Sequence, residues 1–282
     1  MNDNDPSPTG SWKPTDRNHY SDNTVRTLYR LAWGPSIHFG LYPDGTETIE
    51  AAAIKTKVAI ALALKLTAAD DVLEVGAGEG ETARWLAREV GCHVTASNFT
   101  QEQIDSGRQK TTQDDLSDLV SHSWADFQDL PFGDSQFTAH LSQEAFVHCK
   151  DKNRYFSEAY RVLKPSGQLA VSDQTTDRRL CSEKLRRIIT ERHGSPDMWD
   201  TDEMINGARQ AGFLDIETTD WSPHMARHFA NLVNRIEANY NAFTEHVDKG
   251  VLDNNLELWR LAVETTEAGK IGWCLLTARK PE

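Results

Sequence analysis

From Asp71 to Asp173 short apolar runs alternate with longer amphipathic segments, and this alternation restricts the fold more than any other feature of the chain. Asp71–Val75, His93–Ser97, Ser121–Phe127, Phe137–Ser142 and Gln168–Asp173 read as strands. Between them Thr82–Val90, Gln101–Leu119 and Lys152–Leu163 read as helices. Gly91 closes the first, Thr100 is a plausible N-cap for the second, and Lys-Pro-Ser-Gly at 164–167 stops the third. Strands that alternate with helices form a mostly parallel sheet covered on both faces. The expected fold class is therefore α/β, doubly wound.

Strict alternation ends on either side of this region. Residues 49–66 are rich in Ala and Leu and read as a buried helix. Residues 178–193 and 201–211 read as helical, Phe213–Trp221 as a strand, 225–247 and 252–267 as long helices, and Gly272–Arg279 as a closing strand. The two late helices are expected to form a lid over the carboxyl ends of the sheet. The polar start, rich in Pro, Asp and Asn, lacks the basic and apolar regions of a signal peptide. It reads as a flexible tail over 1–18, followed by one domain over 19–282: a cap at 19–66, a core at 67–177, then lid and closing strands at 178–282.

The loop Glu74-Val-Gly-Ala-Gly-Glu-Gly80 lies between a strand and a helix, the context in which clustered glycines mark a ligand site. Gly76 and Gly78 allow a tight turn and a close approach of backbone to ligand. The spacing is G-x-G-x-G, not the G-x-G-x-x-G of dinucleotide sites, and no Gly-Lys-Ser/Thr follows. Glu79 and Glu81 put negative charge where a pyrophosphate would sit. A ligand with a cationic amino-acid end suits such a loop better.

Composition narrows the partners. A net charge of −13 argues against nucleic acid and against an anionic membrane, both of which need a basic face. No apolar run reaches the roughly 18 residues of a membrane span. Cys92, Cys149, Cys181 and Cys274 lie far apart with no CxxC, which suits reduced thiols in the cytoplasm rather than a disulfide frame or a zinc site. His224 and His228 are four apart on a helix, but Met225 stands where a zinc motif needs Glu, so no metal is expected. They read either as substrate-facing or as helix-surface residues.

Three stretches, in order, carry a resemblance. Glu74–Gly80 resembles motif I of the class I S-adenosylmethionine-dependent methyltransferases. Trp124-Ala-Asp-Phe-Gln-Asp-Leu-Pro-Phe132 resembles the segment whose acid reaches the adenine amino group in that superfamily. Arg161-Val-Leu-Lys-Pro-Ser-Gly-Gln168 resembles its R-V-L-K-P-G-G motif, with Ser166 for the first glycine. The resemblance implies a seven-stranded sheet in the order 3-2-1-4-5-7-6 with strand 7 antiparallel, and S-adenosylmethionine as cofactor. It implies cofactor contacts from Glu74, Gly76, Ala77, Gly78, Gly80, Asp126 and Phe127.

Further segments resemble the sarcosine/dimethylglycine N-methyltransferases within that class. They are Tyr20-Ser-Asp, Trp33-Gly-Pro-Ser-Ile-His-Phe-Gly-Leu-Tyr42, Leu232–Tyr240 and Ala268–Leu276. The resemblance adds Trp33 and His38 to the cofactor set. Ser142-Gln-Glu-Ala-Phe-Val-His148 is similar to S-(Q/R)-D-x-x-x-H of these enzymes and of phosphoethanolamine methyltransferases. Gln143 then contacts the cofactor, Glu144 stands for an aspartate, and His148 with Tyr20 latches the active site. Tyr20, Glu144 and His148 are the expected catalytic set, although His148 also reads as a surface histidine at the start of a helix. In Ala-Ser-Asn-Phe-Thr at 96–100, Asn98 takes the place of the ribose-binding acid, and Asn98 and Phe99 join the cofactor residues. Arg178, Arg179 and Arg227, with His224 and His228, are candidates to hold a substrate carboxylate.

The expected function is methylation of a small amino acid, sarcosine or dimethylglycine, leading toward glycine betaine. Three other readings stay open. One changes the acceptor to phosphoethanolamine or a prenyl or terpenoid carbon. Another is a non-catalytic cofactor-binding module. The last, an NAD-dependent oxidoreductase, is disfavoured by the glycine spacing.

Overall fold

The structure is a computed structural model that describes residues 23–193 and 197–282. Those residues fall into two compact units. A sheet unit comprises Lys57–Asp173, Thr201–Thr219 and Cys274–Glu282; a helical unit comprises residues 23–56, 174–193, 197–200 and Asp220–Trp273.

The sheet is built from β1 (Asp71–Val75), β2 (His93–Asn98), β3 (Val120–Trp124), β4 (Phe137–Gln143), β5 (Leu163–Thr176), β6 (Leu214–Asp220) and β7 (Ile271–Arg279). Their order is β3-β2-β1-β4-β5-β7-β6, with β7 antiparallel, as the family resemblance implies. The parallel register sets Val75 beside Ser97 on β2 and beside Ser142 on β4, so the carboxyl ends of these three strands lie level. Val72, Leu73, Leu141, Leu169, Ala170 and Val171 are wholly buried. Such uninterrupted burial is expected where helices cover both faces of a parallel sheet. The helices α3 (Glu81–Glu89), α4 (Gln101–Gln113), α5 (Lys152–Val162) and α7 (Thr201–Ala211) belong to this unit.

The chain also forms α2 (Ile49–Ala63) and α6 (Glu183–His193), and in the helical unit α1 (Asn23–Trp33) packs on α8 (Ser222–Ala238) and α10 (Lys249–Glu267). The aromatic rings of Trp33, Phe39, Phe229, Trp259 and Trp273 fill its interior. Arg235 on α8 donates to the Glu50 carboxylate at 2.7 Å and to the Ala32 carbonyl at 2.9 Å.

Element boundaries differ from the sequence expectation in identifiable ways. The helix expected over Gln101–Leu119 stops at Gln113. Asp115 takes a left-handed φ of 56°, which ends the helical path. The strand expected over Ser121–Phe127 ends at Trp124, and Asp126 turns to pair with Asp129. The helix expected over 225–247 starts earlier, with Pro223 in its first turn, and breaks at Asn239 before α9 (Tyr240–Thr244). Asn239 Nδ2 donates to the Arg235 carbonyl at 2.9 Å and so satisfies one of the open carbonyls at the end of α8.

Candidate active site

The glycine loop leaves the carboxyl end of β1 and enters α3. Gly76, Gly78 and Gly80 have φ of 68°, 55° and 73°, a region that glycine adopts without strain. A side chain at Gly76 would collide with Ala145, and one at Gly80 would lie 2.6 Å from His122 Cε1. At Gly78 a Cβ would meet nothing within 4 Å. Two of the glycines are thus required by packing inside the protein, and the third faces open space.

The loop is tied down on its sides. Ala77 N donates to the Ser97 carbonyl at 2.9 Å, and Asn98 Nδ2 donates to the Gly78 carbonyl at 3.2 Å and to Gln103 Oε1 at 2.6 Å. Asn98 Oδ1 accepts from Phe99 N at 2.9 Å. His122 lies between Gly80 and Gly107, its Cε1 2.6 Å from where either Cβ would be. Burial, reinforced by Arg84 and Arg108, holds its pKa down near 4, so the ring is neutral at pH 7.

Glu79 and Glu81 do not present bare charge. Glu79 is paired with Lys110 and accepts from Ser106 Oγ at 2.8 Å. Glu81 is paired with Lys57, whose side chain is buried. The expectation that these carboxylates repel a pyrophosphate therefore loses its force, and the glycine spacing alone carries that exclusion.

Gln143 and Glu144 follow at the carboxyl end of β4. Gln143 is buried, and its Oε1 accepts from Thr82 Oγ1 at 3.0 Å. Its Nε2 is a buried donor with no partner among the described residues. Such a group fits a ligand acceptor, because leaving it unpaired costs about 1–3 kcal/mol. Together with the open face of Gly78, it fits the cofactor expected from the loop.

Glu144 has φ 48°, a conformation that costs a non-glycine residue about 1–3 kcal/mol. Two contacts hold it there: Glu144 N donates to the Ser172 carbonyl at 2.8 Å, and Ser172 Oγ donates to Glu144 Oε1 at 2.6 Å. The next residue of β5, Asp173, is fully buried and accepts from Val147 N at 2.8 Å. His148, half-buried, ends the short 3-10 turn Phe146–His148 that Asp173 holds. Asp126 accepts from Gln128 N at 2.9 Å, and Phe127 packs edge-on to Tyr155 at 5.9 Å. Phe99, 64% exposed, lies 5.4 Å from the ring of Trp124, whose Nε1 donates to the Phe99 carbonyl. Nothing in the sequence marks Ser172 or Asp173, because a serine and an acid at a strand end are common; only their partners distinguish them.

The other sequence candidates lie in the helical unit. Tyr20 is outside the described residues. Trp33 is 4.5 Å, ring to ring, from His228, and His38 is half-buried in the loop after α1. Gly40 N donates to His228 Nδ1 at 3.0 Å, and Tyr42 N to His224 Nδ1 at 3.1 Å. His228 is completely buried, so it is no helix-surface residue. Arg178 is bound to Asp197 at 2.6 Å, Arg179 to Asp177 at 2.7 Å, and Arg227 donates to the Gly45 carbonyl at 3.0 Å. Each of these guanidinium groups is already engaged.

Comparison with known proteins fits this architecture. Residues 73–171 match a family described as a methyltransferase domain. With its 3-2-1-4-5-7-6 sheet and its glycine loop, the chain is a class I S-adenosylmethionine-dependent methyltransferase. It is 30% identical to the sarcosine/dimethylglycine N-methyltransferase of Halorhodospira halochloris over 278 residues, which covers 94% of this chain and 96% of the relative. It is 28% identical to a glycine/sarcosine/dimethylglycine N-methyltransferase of Actinopolyspora halophila, of whose length this chain spans 47%. A Galdieria sulphuraria structure assigned to the sarcosine dimethylglycine methyltransferases superposes with a TM-score of 0.83 at 25% identity, covering 93% of this chain and 98% of that one. The chain belongs to the family of the sarcosine/dimethylglycine N-methyltransferases. Among the described residues no helix is long and apolar enough to cross a membrane, and no cluster of ligands for a metal occurs.

Proposed function

We propose that the protein transfers a methyl group from S-adenosylmethionine to the amine nitrogen of sarcosine or dimethylglycine, toward glycine betaine, in the cytoplasm. One observation carries this reading. The likeness to the Halorhodospira halochloris enzyme spans 94% of this chain and 96% of that one. It therefore takes in the helical unit as well as the methyltransferase core at 73–171. The four buried cysteines, scattered along the chain with no CxxC, accord with a reducing compartment.

S-adenosylmethionine supplies a methyl group already activated on a sulfonium. The Glu74–Gly80 loop, braced by Asn98, binds and orients its carrier together with Phe99, Asp126, Phe127 and Gln143. Residue positioning then supplies most of the rate, by holding the acceptor nitrogen in line and away from water. An aliphatic amine is largely protonated at neutral pH and must give up that proton before attack. The imidazole of His148 takes it from the acceptor nitrogen. The Glu144 carboxylate, fixed by Ser172, assists His148 in drawing off that proton.

The test is labelled-methyl transfer to glycine, sarcosine, dimethylglycine, phosphoethanolamine and geranyl diphosphate. Label should appear on sarcosine, dimethylglycine or both. Label confined to phosphoethanolamine or geranyl diphosphate would overturn the acceptor. Tight S-adenosylhomocysteine binding without transfer to any acceptor would make the chain a binding module.

A further inference from the structure

Among the buried polar atoms of the helical unit that have no hydrogen-bond partner among the described residues are Trp33 Nε1, His228 Nε2, Trp259 Nε1 and Asn255 Oδ1. Their residues lie in one cluster. Trp33 is 4.5 Å from His228 and 6.4 Å from Trp259, ring to ring, and Asn255 is one turn before Trp259 on α10. His228 and Trp259 are 0% exposed, Asn255 3% and Trp33 5%.

The partners of His228 decide where its proton sits. Gly40 N donates to Nδ1 at 3.0 Å, so Nδ1 carries a lone pair, and the Tyr42 hydroxyl at 2.9 Å also donates to it. Nε2 therefore carries the hydrogen. Burial keeps the ring neutral by pushing its pKa down to about 3. The cluster thus contains three N–H donors and each of them is unsatisfied. A buried donor left unpaired costs about 1–3 kcal/mol, and native interiors hold few of them. Three on packed neighbours imply an acceptor that binds there.

The surroundings define its chemistry. Tyr29 lies 5.8 Å from Trp33 and 6.0 Å from Trp259, and Phe39 lies 5.6 Å from both Trp33 and His228. Aromatic faces of this kind favour a methylated ammonium. The cation whose charge reaches His228, Arg235, is bound to the Glu50 carboxylate. A phosphate ester with net negative charge would be buried there without compensation. A zwitterion brings its own counter-charge.

We infer that the N–H groups of Trp33, His228 and Trp259 form a carboxylate site for a zwitterionic N-methylated amino acid, with the surrounding aromatic rings against its methylammonium end. This rests on the proposed function and reassigns Trp33 from the cofactor to the acceptor. Trp259 carries no mark in the sequence, since a tryptophan in an amphipathic helix reads as core.

The site can be tested by nitrogen-15 NMR of the full chain saturated with S-adenosylhomocysteine, following the indole N–H signals of Trp33 and Trp259 and the Nε2 signal of His228. Glycine betaine should shift all three; choline, which lacks the carboxylate, and acetate, which lacks the counter-charge, should leave them in place. Trp33→Phe and Trp259→Phe keep the ring and remove the donor, so each should weaken betaine binding roughly tenfold. Signals that stay still in betaine would overturn the site, and internal water would then satisfy the donors. Methyl transfer to sarcosine with silent signals removes the site and leaves the proposed function standing. Shifted signals without transfer to any N-methylglycine do the reverse.

Discussion

At Asn98 both hydrogens of the side-chain amide are committed, one to the Gly78 carbonyl and one to Gln103 Oε1. An aspartate has no hydrogen to give, and would set a carboxylate against the carbonyl it replaces as a partner. Asn98→Asp should therefore loosen the loop and weaken S-adenosylhomocysteine binding at least tenfold by calorimetry, roughly the value of one lost charge-free bond plus the new repulsion. An unchanged affinity would show that the amide does not brace the loop. The two ends of the loop separate stability from binding. Gly80→Ala adds a Cβ 2.6 Å from His122 Cε1 at φ 73°, so it should lower stability by roughly 2–4 kcal/mol. Gly78→Ala pays only for its positive φ, about 1–2 kcal/mol, but puts a methyl group into open space at the candidate site. Its melting temperature should fall less than that of Gly80→Ala while its cofactor affinity falls more. The glycines themselves were legible in the sequence from their strand-to-helix context. His122 was not, because the residue that makes Gly80 and Gly107 necessary stands alone in a strand and belongs to no local pattern.

At the scale of elements, the ends of β4 and β5 share one connector. Ser172 holds Glu144, and Asp173 holds Val147, so two successive residues of β5 grip the segment 144–148 near both its ends. Glu144 stays in its left-handed conformation against a cost, which implies that the grip is firm. Asp173→Ala should release the turn that bears His148 and lower kcat roughly ten- to hundredfold, with the KM for the acceptor little changed. Asp173→Asn retains an oxygen for Val147 N and should recover most of the rate. Equal kcat in the wild type and the alanine variant would show that the turn is fixed by other contacts. The strands and helices of this region were legible from their alternation. Their ends were less so, since Asp115 and Asn239 stop or interrupt helices through backbone angles and single side-chain bonds that leave no periodic trace. The grip of β5 on β4 was not legible at all, because it joins residues 26–28 positions apart whose side chains are common ones.

For the molecule as a whole, the histidines that burial keeps neutral, His122 together with the completely buried His140 and His228, set the acid limit of stability. His140 on β4 and His228 on α8 are both 0% exposed, and burial pushes each pKa down to about 3. An unfolded histidine takes up its proton near pH 6.5. Between about pH 6.5 and 3 the unfolded chain therefore binds more protons than the folded one, and protons favour unfolding. The contribution of these two rings is fully present above about pH 6.5 and declines as the pH falls. At pH 5 the unfolded state gains about 2 kcal/mol from each ring, from 1.5 units of protonation at roughly 1.4 kcal/mol per unit. Carboxylates paired in the folded chain work in the same direction at lower pH: Arg235 draws the Glu50 carboxyl below its usual range, and Arg161 does the same for Glu158. Their contribution is lost only below about pH 4, as the unfolded carboxylates take up protons. Thermal melts of the ligand-free protein should thus show a drop in melting temperature between pH 7 and 5, before the carboxylates titrate. His140→Gln removes one of these protonation sites, so its melting temperature should fall more gently over that interval even if it starts lower. An identical slope in the wild type and in His140→Gln would place the acid sensitivity elsewhere.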